Sequence, residues 1–264
     1  MQKRSCVLVV FILILGLILT GCTPSKENET EKTDEANLLI AAAASLEYCM
    51  KDELIPMFEE LNPGIKVEGT YDSSGKLQTQ IEEGADVDVF MSAAMKQMEA
   101  LKEEELIKEG TIVPLLENKI VLITQANSEF TFKRFEDIVN ADMIAIGDPE
   151  SVPAGQYAKE SLEYLGLWEK VSEKASFGTN VTEVLNWVAE GSADAGIVYA
   201  TDAATTEDVI IVASAPEESV SKVIYPVGIV SGTTKEDAAR LFVDFLQTKE
   251  AMEVFERYGF TPNK

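Results

Sequence analysis

The chain has 264 residues, with 46 acidic side chains against 22 basic ones and a net charge of −24. A surface this negative repels polyanions and anionic membrane faces, which excludes nucleic acid and lipid headgroups as partners. Histidine is absent, so a Ser-His-Asp triad, a Cys-His pair and histidine-ligated zinc are excluded too.

Lys3 and Arg4 precede an apolar run from Val7 to Leu19, short for a membrane span, that closes on Leu19-Thr20-Gly21-Cys22. A basic start, an apolar centre and small residues before a cysteine resemble the leader of a bacterial lipoprotein. That resemblance implies a signal peptide over 1–21 and a lipidated Cys22 as mature N terminus. The body is then extracytoplasmic, held to the outer or periplasmic face of the cell membrane by its lipid anchor alone. With Cys6 removed and Cys22 acylated, Cys49 is the one thiol left and no intramolecular disulfide is expected. Residues 22–36 are polar and without apolar periodicity, which makes them a tether.

From Leu38 onward, β-type runs alternate with amphipathic segments. Leu38–Ala43 reads as a strand, followed by a helix over about 46–61, a strand at 65–71, a helix at 75–83, a strand at 87–91 and a helix at 94–102. Strands are expected at 120–124, 143–146, 196–199, 209–212 and 223–229. Helices are expected at 156–165 and 181–190, with one long closing helix over 235–258. Alternation of this length implies βαβ units, an α/β fold and mostly parallel sheets. Trp168, Trp187, Phe242, Phe245, Phe255 and Phe260 read as core, Cys49 as a small core residue, and Glu103–Glu105 as a solvated helix end.

Ligands of open parallel sheets bind where strands run into helices, and four such junctions stand out. In Ala42-Ala43-Ala44-Ser45-Leu46, a strand empties into small residues and Ser45 at a helix start; the serine can cap the helix or grip an anion. Tyr71-Asp72-Ser73-Ser74-Gly75-Lys76 repeats the arrangement with two hydroxyls and a glycine. In Gly147-Asp148-Pro149-Glu150-Ser151-Val152-Pro153-Ala154-Gly155, Pro153 holds Val152 extended and leaves the N–H groups of Ala154 and Gly155 open. The fourth pairs a helix start at Asn180-Val181 with a strand ending in Tyr199, whose phenol can pack or enter the same crevice.

These motifs occur in order with Ala85-Asp86-Val87-Asp88-Val89-Phe90-Met91-Ser92-Ala93, Gly196-Ile197-Val198-Tyr199 and the closing Arg257-Tyr258-Gly259-Phe260. Together they resemble the molybdate-binding proteins of ABC transporters, from about Leu38 to Pro262. The resemblance implies a two-lobed type II periplasmic-binding-protein fold with the ligand cleft between lobes. Lobe 1 would be 37–118 and 228–264, and lobe 2 would be 119–227. It also implies molybdate or tungstate as ligand, no cofactor, a monomer, and delivery to an ABC permease with its ATPase. Carried over by position, the oxyanion contacts are Ser45, Ser74, Ala154, Val181 and Tyr199, with molybdenum held through its oxo groups and no direct protein–metal bond. Gly75 departs from relatives with a hydroxyl there, and Glu47 and Asp72 place carboxylates near the site.

The sequence leaves three other readings. One is a binding protein for another oxyanion such as sulfate, and one is a sensory oxyanion receptor. The third is a hydrolase with Ser45 or Ser74 as nucleophile and Lys76 as base, which lacks a recognisable catalytic spacing; no enzyme activity is expected.

Overall fold

The computed structural model describes residues 36–264. The expected signal peptide, Cys22 and all but the last residue of the expected tether lie outside the described residues; Ala36 already opens the first strand.

Among the described residues, eleven strands form two sheets: β1 (Ala36–Ala43), β2 (Ile65–Asp72), β3 (Val89–Met91), β4 (Val113–Asn118), β5 (Ile120–Gln125), β6 (Ile144–Gly147), β7 (Ala175–Gly178), β8 (Ala195–Tyr199), β9 (Val209–Ser214), β10 (Val223–Ile229) and β11 (Thr261–Pro262). The first sheet has the order β11-β4-β10-β3-β1-β2 and the second β7-β6-β8-β5-β9. Each is flanked by helices and forms the core of one lobe.

The run Leu38–Ala43 is apolar throughout, as a strand covered on both faces must be, and β1 lies inside its sheet, parallel to both β2 and β3. Parallel pairing also joins β6 to β7 and β8. As wholes, however, the sheets are mixed. β10 runs antiparallel to β3 and β4, and β5 antiparallel to β8 and β9. The antiparallel ladders come from the strands that carry the chain between lobes. It leaves the first sheet at Lys119, between β4 and β5, and returns between β9 and β10.

The return is earlier than the expected boundary at residue 228, because β10 pairs with β4 from Val223 onward. β4, β7 and β11 are not among the expected strands. Pro114 and the polar end Glu117-Asn118 interrupt the apolar pattern of β4, and Ser176 and Phe177 of β7 are exposed.

Two expected helices are remodelled. The segment 44–61 is helical throughout but passes through a 3₁₀ turn at Ala44–Leu46 and a π turn at Met50–Leu54 before Ile55–Leu61. Pro56, without an N–H and with a ring that crowds the preceding turn, accounts for the widened ladder upstream of it. The expected closing helix is two, Glu236–Leu246 and Lys249–Arg257, because Thr248 takes an extended backbone and its hydroxyl accepts from Ala251 N–H at 3.3 Å. The break turns two apolar faces inward. Phe242 and Phe245 close on Phe58, with ring centroids 5.0 and 5.5 Å apart, and Phe255 and Phe260 pack edge to face. Cys49 is buried and its Sγ–H donates to Leu46 O. Trp168 and Trp187 are half-buried, and Glu103–Glu105 are exposed.

Candidate oxyanion site

Ser45, Ser74, Ala154, Val181 and Tyr199 all line one cavity of about 200 Å³ including its mouth, together with Asp72, Ser73, Ala93 and Pro153. The first lobe supplies the two serine junctions and the second supplies Ala154, Val181 and Tyr199.

Each junction exposes helix-start donors for a different local reason. At Ser73-Ser74, the helix Ser74–Glu82 begins with Ser73 in the N-cap position, yet that side chain makes no capping bond. An N-cap serine ordinarily accepts from the second or third N–H of its helix; here Ser73 Oγ is buried, without a partner, and at the cavity wall. At Val152-Pro153-Ala154, the helix Pro153–Tyr164 has an apolar residue at its N-cap, so nothing covers the Ala154 N–H from that side. At Asn180-Val181, the Asn180 side chain does cap, but it takes Glu183 N–H at 2.9 Å and leaves the earlier turn to Val181.

The hydroxyls are oriented by what they accept. Ser74 is fully buried and its Oγ accepts Ala93 N–H at 2.9 Å, which leaves its proton for the cavity. Ser45 Oγ lies 2.9 Å from the Tyr225 hydroxyl. Tyr199 OH donates to Ala93 O across the cleft at a long 3.3 Å. Burial holds the phenols of Tyr199 and Tyr225 well above the usual tyrosine range, so both remain protonated. Asp202, also buried, sits behind them, accepts Tyr199 N–H at 3.3 Å, and is pushed up to about 7 by its burial.

Among the described residues, Asp72 is the one charged side chain on the wall, and it is satisfied from its own neighbourhood. Its carboxylate accepts Ser73 N–H at 2.8 Å, Lys76 Nζ at 3.2 Å and Asn180 Nδ2 at 3.5 Å. Glu47 is not on this wall; it pairs with Lys51 and faces an outer cleft shared with Tyr71, Asn180 and Trp187. Because Lys76 is engaged with Asp72, the serine–lysine contact that a hydrolase requires is not made. Ser73, to which the family resemblance assigns no contact, stands on the same wall as Ser74.

The lobes touch directly around the cavity. Gly75 N–H donates to Ser151 O at 2.9 Å, and Gln97 Nε2 donates to Gln156 Oε1 at 3.1 Å.

Residues 38–261 match the profile of the bacterial extracellular solute-binding proteins. The chain is 40% identical to YvgL of Bacillus subtilis, provisionally named an ABC transporter substrate-binding lipoprotein, over 96% of this chain and 97% of that one. It is 38% identical to the molybdate-binding protein ModA of Escherichia coli, over 86% of this chain and 90% of that one. The solved periplasmic molybdate-binding protein of Azotobacter vinelandii shares its fold, with a TM-score of 0.76 at 21% identity, covering 86% of this chain and all of that one. These relatives are solute-binding proteins and not enzymes, and the chain belongs with them, as a ModA-like member of the bacterial extracellular solute-binding proteins.

Proposed function

We propose that the protein captures molybdate, and tungstate by the same contacts, in the cleft between its lobes and delivers it to an ABC permease with its ATPase. It does so as a monomer held to the outer or periplasmic face of the membrane by a lipid on Cys22. The observation that carries this reading is the convergence of hydroxyl and helix-start N–H groups from both lobes on one cavity, with no lysine or arginine among the described residues of its wall. The names of the ModA relatives support the ligand, and that of YvgL supports the lipid anchor. The sheet pairing supports lobes of 36–118 with 223–264, and 119–222.

A dianion held by uncharged donors suits so acidic a chain. Each hydrogen bond to a charged group is worth about 1.5–3 kcal/mol and each helix start about 0.3–1 kcal/mol. After the costs of closure and dehydration, about −8 to −11 kcal/mol remains, or micromolar to nanomolar affinity. Donors alone also select. A fully deprotonated oxyanion is satisfied by them, whereas hydrogen phosphate also presents a proton that needs an acceptor.

Calorimetry on the chain without its leader tests this reading. One tight site for molybdate and tungstate, with sulfate and phosphate far weaker, is the expected result. Comparable affinity for phosphate overturns it, and preference for sulfate moves the protein to the alternative oxyanion. Loss of molybdate uptake on deletion separates transport from a sensory role.

A further inference from the structure

We propose that Asn118 and Tyr225 are positioning residues that fix Ser45 as a hydrogen-bond donor to the oxyanion and tie that donor to the crossing between lobes. The inference rests on Ser45 contacting the anion, as proposed above.

Asn118 is the last residue of β4, immediately before Lys119, where the chain leaves the first lobe. Its Oδ1 accepts Lys119 N–H at 2.8 Å, which settles which end of the amide is oxygen. The nitrogen end donates twice, to Thr201 Oγ1 of the second lobe at 2.9 Å and to the Tyr225 hydroxyl at 3.2 Å. Tyr225 lies on β10, just after the chain has returned to the first lobe, and is fully buried.

Polarity follows from these contacts. An amide nitrogen offers only protons, so the Tyr225 oxygen accepts from Asn118 and its own proton turns to Ser45 Oγ, 2.9 Å away. Ser45 Oγ thereby accepts, and its proton is directed to the cavity. The chain of donation runs one way, from Asn118 to Tyr225 to Ser45 to the guest. Reversal would aim a Ser45 lone pair at a dianion. Without the phenol oxygen, Ser45 becomes free to rotate and to accept from a protonated guest, which makes Tyr225 a determinant of specificity as well as affinity.

The test is a titration of molybdate and of hydrogen phosphate into the wild-type chain and the variants Tyr225→Phe, Ser45→Ala and the double substitution, with the melting temperature of each recorded. Tyr225→Phe is expected to weaken molybdate about tenfold and to narrow the gap to hydrogen phosphate. In the Ser45→Ala background it is expected to add less than about twofold, since it acts through that hydroxyl. Fold-losses that multiply, or wild-type molybdate affinity in Tyr225→Phe, overturn the relay while leaving the oxyanion site standing. Wild-type affinity in Ser45→Ala removes the site assignment itself.

Asn118→Asp guards against a Tyr225→Phe variant that fails to fold. Its side chain only accepts, so the relay reverses, and molybdate is expected to lose more affinity than hydrogen phosphate. The added charge alone would weaken both dianions alike, and equal losses overturn the relay.

Discussion

Gly75 and Ser151 meet backbone to backbone across the cleft: the glycine N–H donates to the serine carbonyl at 2.9 Å, and a Cβ on Gly75 would come within 2.4 Å of that same oxygen. The obstacle is backbone and cannot swing aside as a flexible side chain would. Gly75→Ala is therefore expected to hold the lobes ajar and weaken the oxyanion about tenfold or more. Thermal stability should be unchanged or slightly raised, because alanine favours the first turn of the helix Ser74–Glu82. Small-angle scattering of the ligand-saturated variant should give a larger radius of gyration than wild type.

Ser74→Ala removes a proposed ligand donor and also strands the buried Ala93 N–H that Ser74 Oγ now accepts. A loss of about 1.5–3 kcal/mol in binding, or about 10- to 100-fold, is expected together with a cost of about 1–3 kcal/mol in stability. Tyr199→Phe gives up only the long 3.3 Å contact to Ala93 O within the protein. Its effect should fall on affinity, with the denaturation midpoint close to wild type; a large drop in the midpoint with affinity intact would make Tyr199 a packing residue.

The junctions were legible because each couples a local rule to a place in the fold. Ala42-Ala43-Ala44-Ser45 marks an apolar strand meeting a helix, and Val152-Pro153-Ala154 fixes an extended residue ahead of a helix start. What the pattern hid was tertiary. Nothing in the sequence around Gly75 tells that the glycine makes room for the opposite lobe. Asn118 and Tyr225 lie 107 residues apart and meet only because β4 and β10 pair at the crossing. The break at Thr248 is hidden because apolar residues keep helical spacing on both sides of it, and a lone capping threonine is a weak stop against that pattern.

Asp88, within the motif that carried the family resemblance, is wholly buried and joins separate parts of the first lobe. It accepts Leu39 N–H at 2.7 Å, Thr233 Oγ1–H at 2.5 Å and Lys235 Nζ at 2.9 Å. Removing the buried carboxylate leaves Leu39 N–H and Thr233 Oγ1–H without that partner, while the partly exposed Lys235 can turn to solvent. Asp88→Ala is expected to destabilise the fold by about 3–5 kcal/mol, measurable by urea denaturation, and to leave the affinity of the remaining folded protein near wild type.

Asp202 gives stability a pH dependence whose sign is fixed by its burial. Its carboxyl is pushed up to about 7, while the unfolded chain releases the same proton near the ordinary 3.8. Between those values the folded state binds the extra proton, so this group makes stability fall as pH rises from about 4 to 7, with no further change above. Asp202→Asn removes that slope and can still accept Tyr199 N–H. Relative to wild type, the variant should gain about 2–4 kcal/mol between pH 4 and pH 7. Parallel denaturation curves for the two proteins across that range would show that Asp202 is not the group responsible.

Among the described residues the chain passes between its sheets at two places, and the proposed donor set is split across them, with Ser45 and Ser74 on one side and Ala154, Val181 and Tyr199 on the other. In the transport proposed above, a membrane partner that grips both halves and pries them apart would divide the grasp on the cargo in a single movement. On that proposal, unloading would need no competing ion and no change of protonation, only leverage at a distance from the guest.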